Sequence, residues 1–212
     1  MKLILPEREL LQKTNELDYY YWNYQFPIKY IQRFRFKAVL ALMHDQIYDK
    51  LLEVGTGSGI FLPELSRHCH ELYACDIHNR ISAIESLSKA TRIQVNFKQT
   101  SIESSDYLDN MFDAVVAVSV LEFVTDLQRA LSKIKRILKT GSHFFTICPQ
   151  RNKILDTVLS IYSRRPLDEE FINSRMMVNS MLEKYFEVVE KKVFPPIIGK
   201  SFPVYYYYDL RK

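Results

Sequence analysis

Three glycines lie within five residues of a chain that contains only five glycines in all. Glycine is unfavourable in regular structure, and it is retained where the backbone must turn tightly or approach a ligand closely. The cluster belongs to the segment Glu53-Val54-Gly55-Thr56-Gly57-Ser58-Gly59, between a short apolar segment and a predicted helix. Backbone N–H groups that a strand-to-helix turn leaves free point across the strand ends. The segment therefore predicts a ligand site.

An acidic residue, Asp76, ends the next short apolar segment, Glu71-Leu72-Tyr73-Ala74-Cys75-Asp76. A carboxylate at the end of a second strand can accept hydrogen bonds from both hydroxyls of a ribose. The glycine spacing is G-x-G-x-G rather than the G-x-G-x-x-G of dinucleotide sites, and Ile60 occupies the next position. Glu53 would repel a pyrophosphate but attract a cationic amine. The combination favours a ligand that carries both a ribose and an amine.

The elements that must position these residues are short apolar segments alternating with helices. Such alternation predicts β-α-β units, and hence an α/β fold with a doubly wound, mostly parallel sheet and helices on both faces. Two later strands are joined by a turn containing Pro195, Pro196 and Gly199, which predicts an antiparallel strand at one edge. The seven predicted strands span 50–54, 71–76, 93–98, 112–118, 143–148, 186–194 and 204–210. The predicted helices span 27–44, 60–68, 79–90, 125–139, 152–163 and 168–185, with a capping box at Thr125 to Gln128 and a stop at Gly141.

The composition limits the remaining possibilities. A length of 212 residues corresponds to one domain, and 47% apolar with 25% charged residues is typical of a globular chain. A net charge of +4 is too small to indicate nucleic-acid binding by itself. The odd number of cysteines, their spacing and the missing signal peptide favour the reducing cytoplasm. No apolar stretch approaches the roughly 20 residues of a membrane span.

Several sequence motifs in order resemble those of the class I S-adenosylmethionine-dependent methyltransferases, of the small-molecule, methyltransferase type 11-like kind. Leu51 to Gly59 is similar to the first motif of that family, and Asp76 matches its ribose-binding acid. Phe112 to Ala117 resembles its F-D-x-V-x-x strand. Leu121 to Asp126 and Leu138 to Ser142 resemble its following loop and its K-P-G-G-like turn. The resemblance covers about residues 50–150.

The resemblance implies a seven-stranded, Rossmann-like sheet that binds S-adenosyl-L-methionine and releases S-adenosyl-L-homocysteine. Ser101 stands where the family often has an Asp that binds the adenine amine, and Asp106 is an alternative for that role. Thr140 replaces the usual Pro of the turn. The cofactor residues that the resemblance assigns are Glu53, Gly55, Thr56, Gly57, Ser58, Gly59, Asp76, Ile77, Ser101, Ile102, Val118 and Ser119.

The resemblance also implies methyl transfer by in-line displacement, in which the protein mainly aligns two substrates. A general base is needed only if the nucleophile arrives protonated, so the sequence names no catalytic residue. The candidate substrate residues are Tyr20, Tyr21, Tyr24, Glu122 and His143. The tyrosines belong to an aromatic run, residues 19–24, that is either core under a helix or a lid over the cofactor.

The predicted organisation is an aromatic and basic arm at 1–45, a cofactor-binding core at 46–150, a helical substrate cap at 151–185 and terminal strands at 186–212. Val118-Ser119-Val120-Leu121 lacks the D/N-P-P-Y pattern of enzymes that methylate base amines, and no Pro-Cys follows that strand, so a small-molecule acceptor is favoured. We expect no nucleic-acid partner, no membrane span, and a monomer or homodimer. The basic stripe of Lys29, Arg33 and Lys37 is a solvated face or a contact for an anionic partner.

Three alternatives stay open at this stage. The chain could bind the cofactor without catalysis, as a regulatory or partner subunit. It could methylate RNA or protein. It could be an NAD-binding oxidoreductase, which the G-x-G-x-G spacing and Glu53 disfavour.

Overall fold

The fold is built on a single sheet. The structure is a computed structural model that describes residues 3–16, 18–150, 169–197, 199 and 202–212. Within these residues seven strands form one sheet in the order β3-β2-β1-β4-β5-β7-β6. The strands are β1 (Tyr48–Val54), β2 (Cys69–Asp76), β3 (Asn96–Gln99), β4 (Phe112–Val118), β5 (Leu138–Pro149), β6 (Glu187–Phe194) and β7 (Tyr205–Arg211).

Five α-helices connect or cover these strands in the described part of the chain. They are α1 (Lys29–Met43), α2 (Leu62–Leu65), α3 (Ile81–Thr91), α4 (Leu127–Ile137) and α5 (Glu169–Tyr185). Short 3₁₀ turns occupy Arg8–Leu10, Tyr20–Asn23, Ser66–His68, Ile102–Ser104 and Leu121–Phe123.

The predicted α/β architecture is confirmed, and the sheet shows where its antiparallel strand lies. Strands β1 to β5 pair in parallel, with β1 between β2 and β4. Strand β7 runs antiparallel to both β5 and β6, so it lies one position in from the edge and β6 forms the edge itself. The turn between β6 and β7 thus makes a hairpin that β5 extends.

The central strands are apolar because both faces of the sheet are covered. Leu51 on β1 and Val116 on β4 point into a layer beneath α1, whereas Leu52 and Val115 point into a layer beneath α4 and α5. All four side chains are fully buried. The alternation of these neighbours between layers keeps the strand ends, and the loops that follow them, in a fixed relation to each other.

The N-terminal arm, which we define as residues 3–28, is tied to the core at several points. The backbone N–H of Ile4 donates to buried Glu64 Oε2 at 2.5 Å, and the Tyr24 hydroxyl donates to the Pro6 carbonyl at 2.5 Å. Arg33 on α1 donates through Nε to the Asn23 carbonyl at 2.7 Å. Arg33, the middle residue of the predicted basic stripe, therefore binds the arm through this hydrogen bond and is not simply a solvated side chain.

Two predicted boundaries around α4 are wrong. The helix begins after Asp126, whose Oδ1 accepts the Arg129 N–H at 2.9 Å, so the N-cap is Asp126 and not Thr125. The helix ends at Ile137, and β5 begins at once, with Gly141 inside the strand at φ +78°. Pairing of Leu138 with Phe112 on β4 extends β5 toward the helix further than its own apolar run predicts.

The predicted helix at 152–163, and with it part of the predicted substrate cap, lies outside the described residues. The helix predicted at 168–185 corresponds to α5, which packs against α4 and the Leu121–Phe123 turn. Among the residues the structure does describe, no helix combines the length and the apolar composition needed to cross a membrane.

Replacing the N-cap residue tests the boundary of α4. We expect Asp126→Ala to lower the free energy of unfolding by about 1 kcal/mol, because the Arg129 N–H loses its acceptor. Thr125→Ala is the matched control, since Thr125 is exposed and makes no cap. Urea unfolding measures both variants. A larger loss in Thr125→Ala than in Asp126→Ala would contradict this cap.

Candidate functional site

The glycine loop leaves β1 across the end of β2. Parallel pairing sets Val54 opposite Cys75, and the Gly55 N–H continues the ladder by donating to the Cys75 carbonyl at 2.9 Å. Gly55 has φ +75°, and a Cβ built there would lie 2.2 Å from Cγ2 of Val120. A side chain is therefore excluded at Gly55 both by the backbone and by the loop after β4.

The peptide groups of Gly57 are held from β2. The Gly57 N–H donates to Asp76 Oδ2 at 2.7 Å, and Asp76 Oδ1 accepts the His78 N–H at 3.3 Å. His78 Nδ1 accepts the Arg80 N–H at 3.1 Å, so its proton is on Nε2, which donates to the Gly57 carbonyl at 2.9 Å. Asp76 and His78 thus fix the loop, and the Asp76 carboxylate keeps further acceptor sites for a ligand.

Glu53 lies beneath the loop at the end of β1. Its side chain is buried, and burial together with the nearby charge of Asp76 raises the pKa of Glu53 well above its usual value. Glu53 Oε2 has no hydrogen-bond partner among the described residues, and the same holds for buried Thr56 Oγ1 and Ser58 Oγ. Buried polar atoms are rarely left without partners, so these three atoms mark a site that is completed by a ligand.

The rim beside Asp76 combines one exposed apolar residue with a polar turn. Ile77 is 71% exposed, which is unusual for a large apolar side chain next to a buried strand. Ile102 is buried in the following turn, and Ser101 Oγ accepts the Ser104 N–H at 3.3 Å. Asp106 is exposed and pairs with Lys98, which lowers the pKa of Asp106.

The end of β4 lies beside the glycine loop, since Val120 crowds Gly55. Val118 ends the strand, and Ser119 adopts φ +52°, with its buried Oγ lacking a partner among the described residues. Glu122 is buried in the turn that follows. Burial raises the pKa of the Cys148 thiol at the end of β5, and the Glu122 charge raises it further, so that carboxylate lies near the ends of β4 and β5.

The predicted substrate residues lie in different parts of the structure, and the three tyrosines pack within the arm or against the core. Tyr20 and Tyr24 pack against the layer beneath α1, and burial raises the pKa of Tyr24 to about 12. Tyr21 contacts the rings of Tyr19 and Trp22 edge to face. These contacts favour the core interpretation of the aromatic run over a set of tyrosines directed at a ligand.

His143 lies away from the loop. It pairs with Ala114 on β4, four residues before Val118, and its ring Nδ1 contacts Asp209 Oδ1 at 2.6 Å. Its ring also stacks on Phe145 at 5.5 Å. The structure therefore does not bring His143 to the carboxyl ends of the strands, because its pairing with Ala114 places it near the amino end of β4 and six residues before the end of β5.

One residue near the loop was missed in the sequence. The carboxylate of Asp18 lies over Gly57: a Cβ built on that glycine would be 3.8 Å from Asp18 Cγ and Oδ1. No sequence signal marks Asp18, since it is one acidic residue among several in the arm. Among the described residues, no three His, Cys, Asp or Glu side chains come together in a way that could hold a metal ion.

Comparison with protein families finds a similarity in the segment around this site. Residues 52–146 match the family model described as "Methyltransferase domain". A curated relative, the ubiquinone biosynthesis O-methyltransferase of Photorhabdus laumondii, is 24% identical over 157 residues, which are 69% of this chain and 63% of that protein. The chain therefore spans less than two thirds of the length of this relative.

Solved structures share the fold. The N-methyltransferase NodS from Bradyrhizobium japonicum in complex with S-adenosyl-L-homocysteine is similar with a TM-score of 0.59 and 20% identity, over 85% of this chain and 86% of that one. A SAM-dependent methyltransferase from Aquifex aeolicus is similar with a TM-score of 0.62 and 19% identity, over 82% and 88%. At these identities the similarity establishes the fold alone.

Two glycines with nearly equal φ angles separate backbone strain from crowding. Gly141→Ala meets no atom within 4 Å, so we expect only the left-handed penalty of about 1–2 kcal/mol. Gly55→Ala adds the clash with Val120, worth about 1–3 kcal/mol more. Urea unfolding measures both variants, and Val120→Ala in the Gly55→Ala background should recover part of the difference. Equal losses at both glycines would exclude the contact with Val120.

The raised pKa of Glu53 predicts a pH-dependent stability. Because the folded pKa lies above the unfolded one, the wild-type protein loses stability as pH rises from the unfolded toward the folded value. Glu53→Gln removes this loss, so it should match the wild type at about pH 4 and be more stable at about pH 8. Glu85→Gln, exposed on α3, is the control and should follow the wild-type profile. Parallel profiles for Glu53→Gln and wild type would contradict the burial of a strained carboxylate.

Proposed function

We propose that this chain, which has the class I methyltransferase fold and a methyltransferase domain at residues 52–146, transfers a methyl group from S-adenosylmethionine to a small-molecule acceptor. The observation that supports this most directly is the set of buried polar atoms without partners around the glycine loop. A dinucleotide would bring a pyrophosphate next to Glu53, and the resulting repulsion argues against an oxidoreductase.

The residues present fit the nucleoside and amino-acid parts of this cofactor. Asp76 would accept the ribose hydroxyls through the lone pairs that Gly57 and His78 leave free. Glu53 would attract the ammonium group of the amino acid, and the glycines allow the backbone to approach it. Ile77 offers an exposed apolar surface for one face of the adenine, with Ser101 and Ile102 beside its edge.

When bound, S-adenosylmethionine supplies a methyl group that its sulfonium centre activates toward a nucleophile. The work left to the protein is alignment: it must hold the acceptor in line at contact distance and keep water out. Val118 and Ser119 end β4 beside the loop, and Glu122 is buried at the adjacent strand ends. We place the acceptor at this side of the sheet, next to Glu122.

The class of acceptor rests on the relatives, whose printed activities include O-methylation in ubiquinone biosynthesis and N-methylation. The cytoplasmic location is likewise proposed, and it is supported by the free thiols of Cys69, Cys75 and Cys148. The monomeric or homodimeric state and the four-part organisation of the chain stay predictions.

Calorimetric titration tests the cofactor. We expect binding of S-adenosylmethionine and S-adenosylhomocysteine but not of NAD. Asp76→Ala should weaken binding by about 10- to 100-fold, because each hydrogen bond to a charged group contributes about 1.5–3 kcal/mol. Asp49→Ala, an exposed residue at the opposite end of β1, removes the same charge and should bind normally.

Transfer of a radiolabelled methyl group into a metabolite extract then separates an enzyme from a cofactor-binding subunit. Labelled small molecules that depend on Asp76 support the proposed activity. Binding of NAD without S-adenosylmethionine, or cofactor binding without any labelled product, would reject it.

A further inference from the structure

The N-terminal arm contributes a carboxylate to the proposed cofactor site. The Asp18 carboxylate lies over Gly57, where a Cβ built on the glycine would be 3.8 Å from Asp18 Cγ and Oδ1. Its Oδ2 accepts the Thr14 N–H at 3.1 Å and the Thr14 hydroxyl at 2.9 Å, and its Oδ1 accepts the Tyr20 N–H at 3.3 Å. The orientation of the carboxylate is therefore set by the arm itself, while its position is over the loop.

This position creates an unfavourable charge arrangement. Asp18 lies near Asp76, which in turn lies near Glu53. Burial raises the pKa of both Asp18 and Glu53, and the nearby Asp76 charge adds to this, while the hydrogen bonds from Thr14 and Tyr20 lower the pKa of Asp18. In the part of the chain that the structure describes, no ion pair joins a lysine, arginine or histidine to any of the three. The hydrogen-bond partners of Asp18 and Asp76 are backbone amides and the Thr14 hydroxyl, which do not neutralise the charge.

A second observation at the same loop points to a ligand. Glu53, Thr56 and Ser58 are 3%, 5% and 3% exposed, and each has a buried oxygen without a partner among the described residues. A ligand that donates hydrogen bonds and carries positive charge would satisfy these oxygens and offset the repulsion between the carboxylates.

We propose that Asp18 is a specificity-determining residue of the cofactor site: it closes the arm over a cationic ligand and makes the site prefer S-adenosylmethionine to S-adenosylhomocysteine. This inference rests on the proposed function. Methyl transfer converts the sulfonium to a neutral thioether, so the product carries one positive charge fewer than the cofactor. The remaining ammonium charge then offsets the repulsion between Asp18 and Asp76 less fully, and the arm favours release of the product.

Calorimetry with three ligands tests the charge dependence. The ligands are S-adenosylmethionine, S-adenosylhomocysteine and sinefungin, in which a protonated amine replaces the methylated sulfonium. In Asp18→Asn we expect the preference for S-adenosylmethionine over S-adenosylhomocysteine to fall about tenfold, which corresponds to about 1.4 kcal/mol. The affinity for sinefungin should fall together with that for S-adenosylmethionine, while the affinity for S-adenosylhomocysteine should change by less than about threefold.

Two control variants distinguish the charge of Asp18 from the contacts that hold it and from the net charge of the arm. Thr14→Val removes the hydroxyl that holds Asp18 but keeps the charge, so all three ligands should weaken alike. Glu16→Gln makes the same change in net charge at an exposed position of the arm, and it should leave the preference unchanged.

The fluorescence of Trp22, the single tryptophan of the chain, reports the state of the arm. Trp22 is buried in the arm and stacks on Tyr19 at 4.2 Å. We expect S-adenosylmethionine to change its emission more than S-adenosylhomocysteine does, and Asp18→Asn to remove that difference.

The outcomes separate the two proposals. If the wild-type protein binds both adenosyl ligands but Asp18→Asn keeps the wild-type preference, or weakens all three ligands equally, the role of Asp18 is wrong and the proposed function stands. If the wild-type protein binds none of the three ligands, the proposed function itself fails.

Discussion

The hydrogen bond from the Gly57 N–H to the Asp76 carboxylate is the constraint on which the site depends. It joins the loop after β1 to the end of β2, two segments that only the parallel register of the sheet brings together. His78 completes the arrangement by donating to the Gly57 carbonyl while its other nitrogen accepts a backbone N–H. The loop is therefore held open by polar contacts from one side, and its opposite side is left for a ligand and for the arm.

This arrangement costs stability. A buried carboxylate at Glu53, near the charge of Asp76 and with one oxygen unpartnered, is disfavoured in the folded state. The central strands compensate, since side chains such as Leu52 and Val115 are fully buried between two helical layers. Strained polar groups of this kind concentrate at functional sites, where the ligand supplies the missing partner.

The arm is attached to the core at both ends and lies over the glycine loop in between. Tyr24, Arg33 and Ile4 fasten it on the face beneath α1, where Tyr20 and Tyr24 pack against the core while Phe26 stays exposed. The segment between these attachments passes over the glycine loop and brings Asp18 there. The two interpretations of the arm, as core and as lid, thus apply to different residues: the tyrosines pack, and a carboxylate faces the loop.

The sequence by itself determined the elements whose residues interact locally. Apolar runs predicted β1, β2 and β4 closely, the glycine cluster predicted the loop, and Asp76 was expected at the next strand end. These features are local because strand alternation and glycine conformation depend on residues that are neighbours in the chain.

Only the tertiary structure decided the features that depend on pairing between distant segments. The pairing of His143 with Ala114 sets His143 away from the site, and β7 is inserted between β5 and β6. The placement of Asp18 over Gly57 joins residues far apart in the chain through the packing of the arm. A single acidic residue has no periodicity to mark it, so its role follows from what the fold brings beside it.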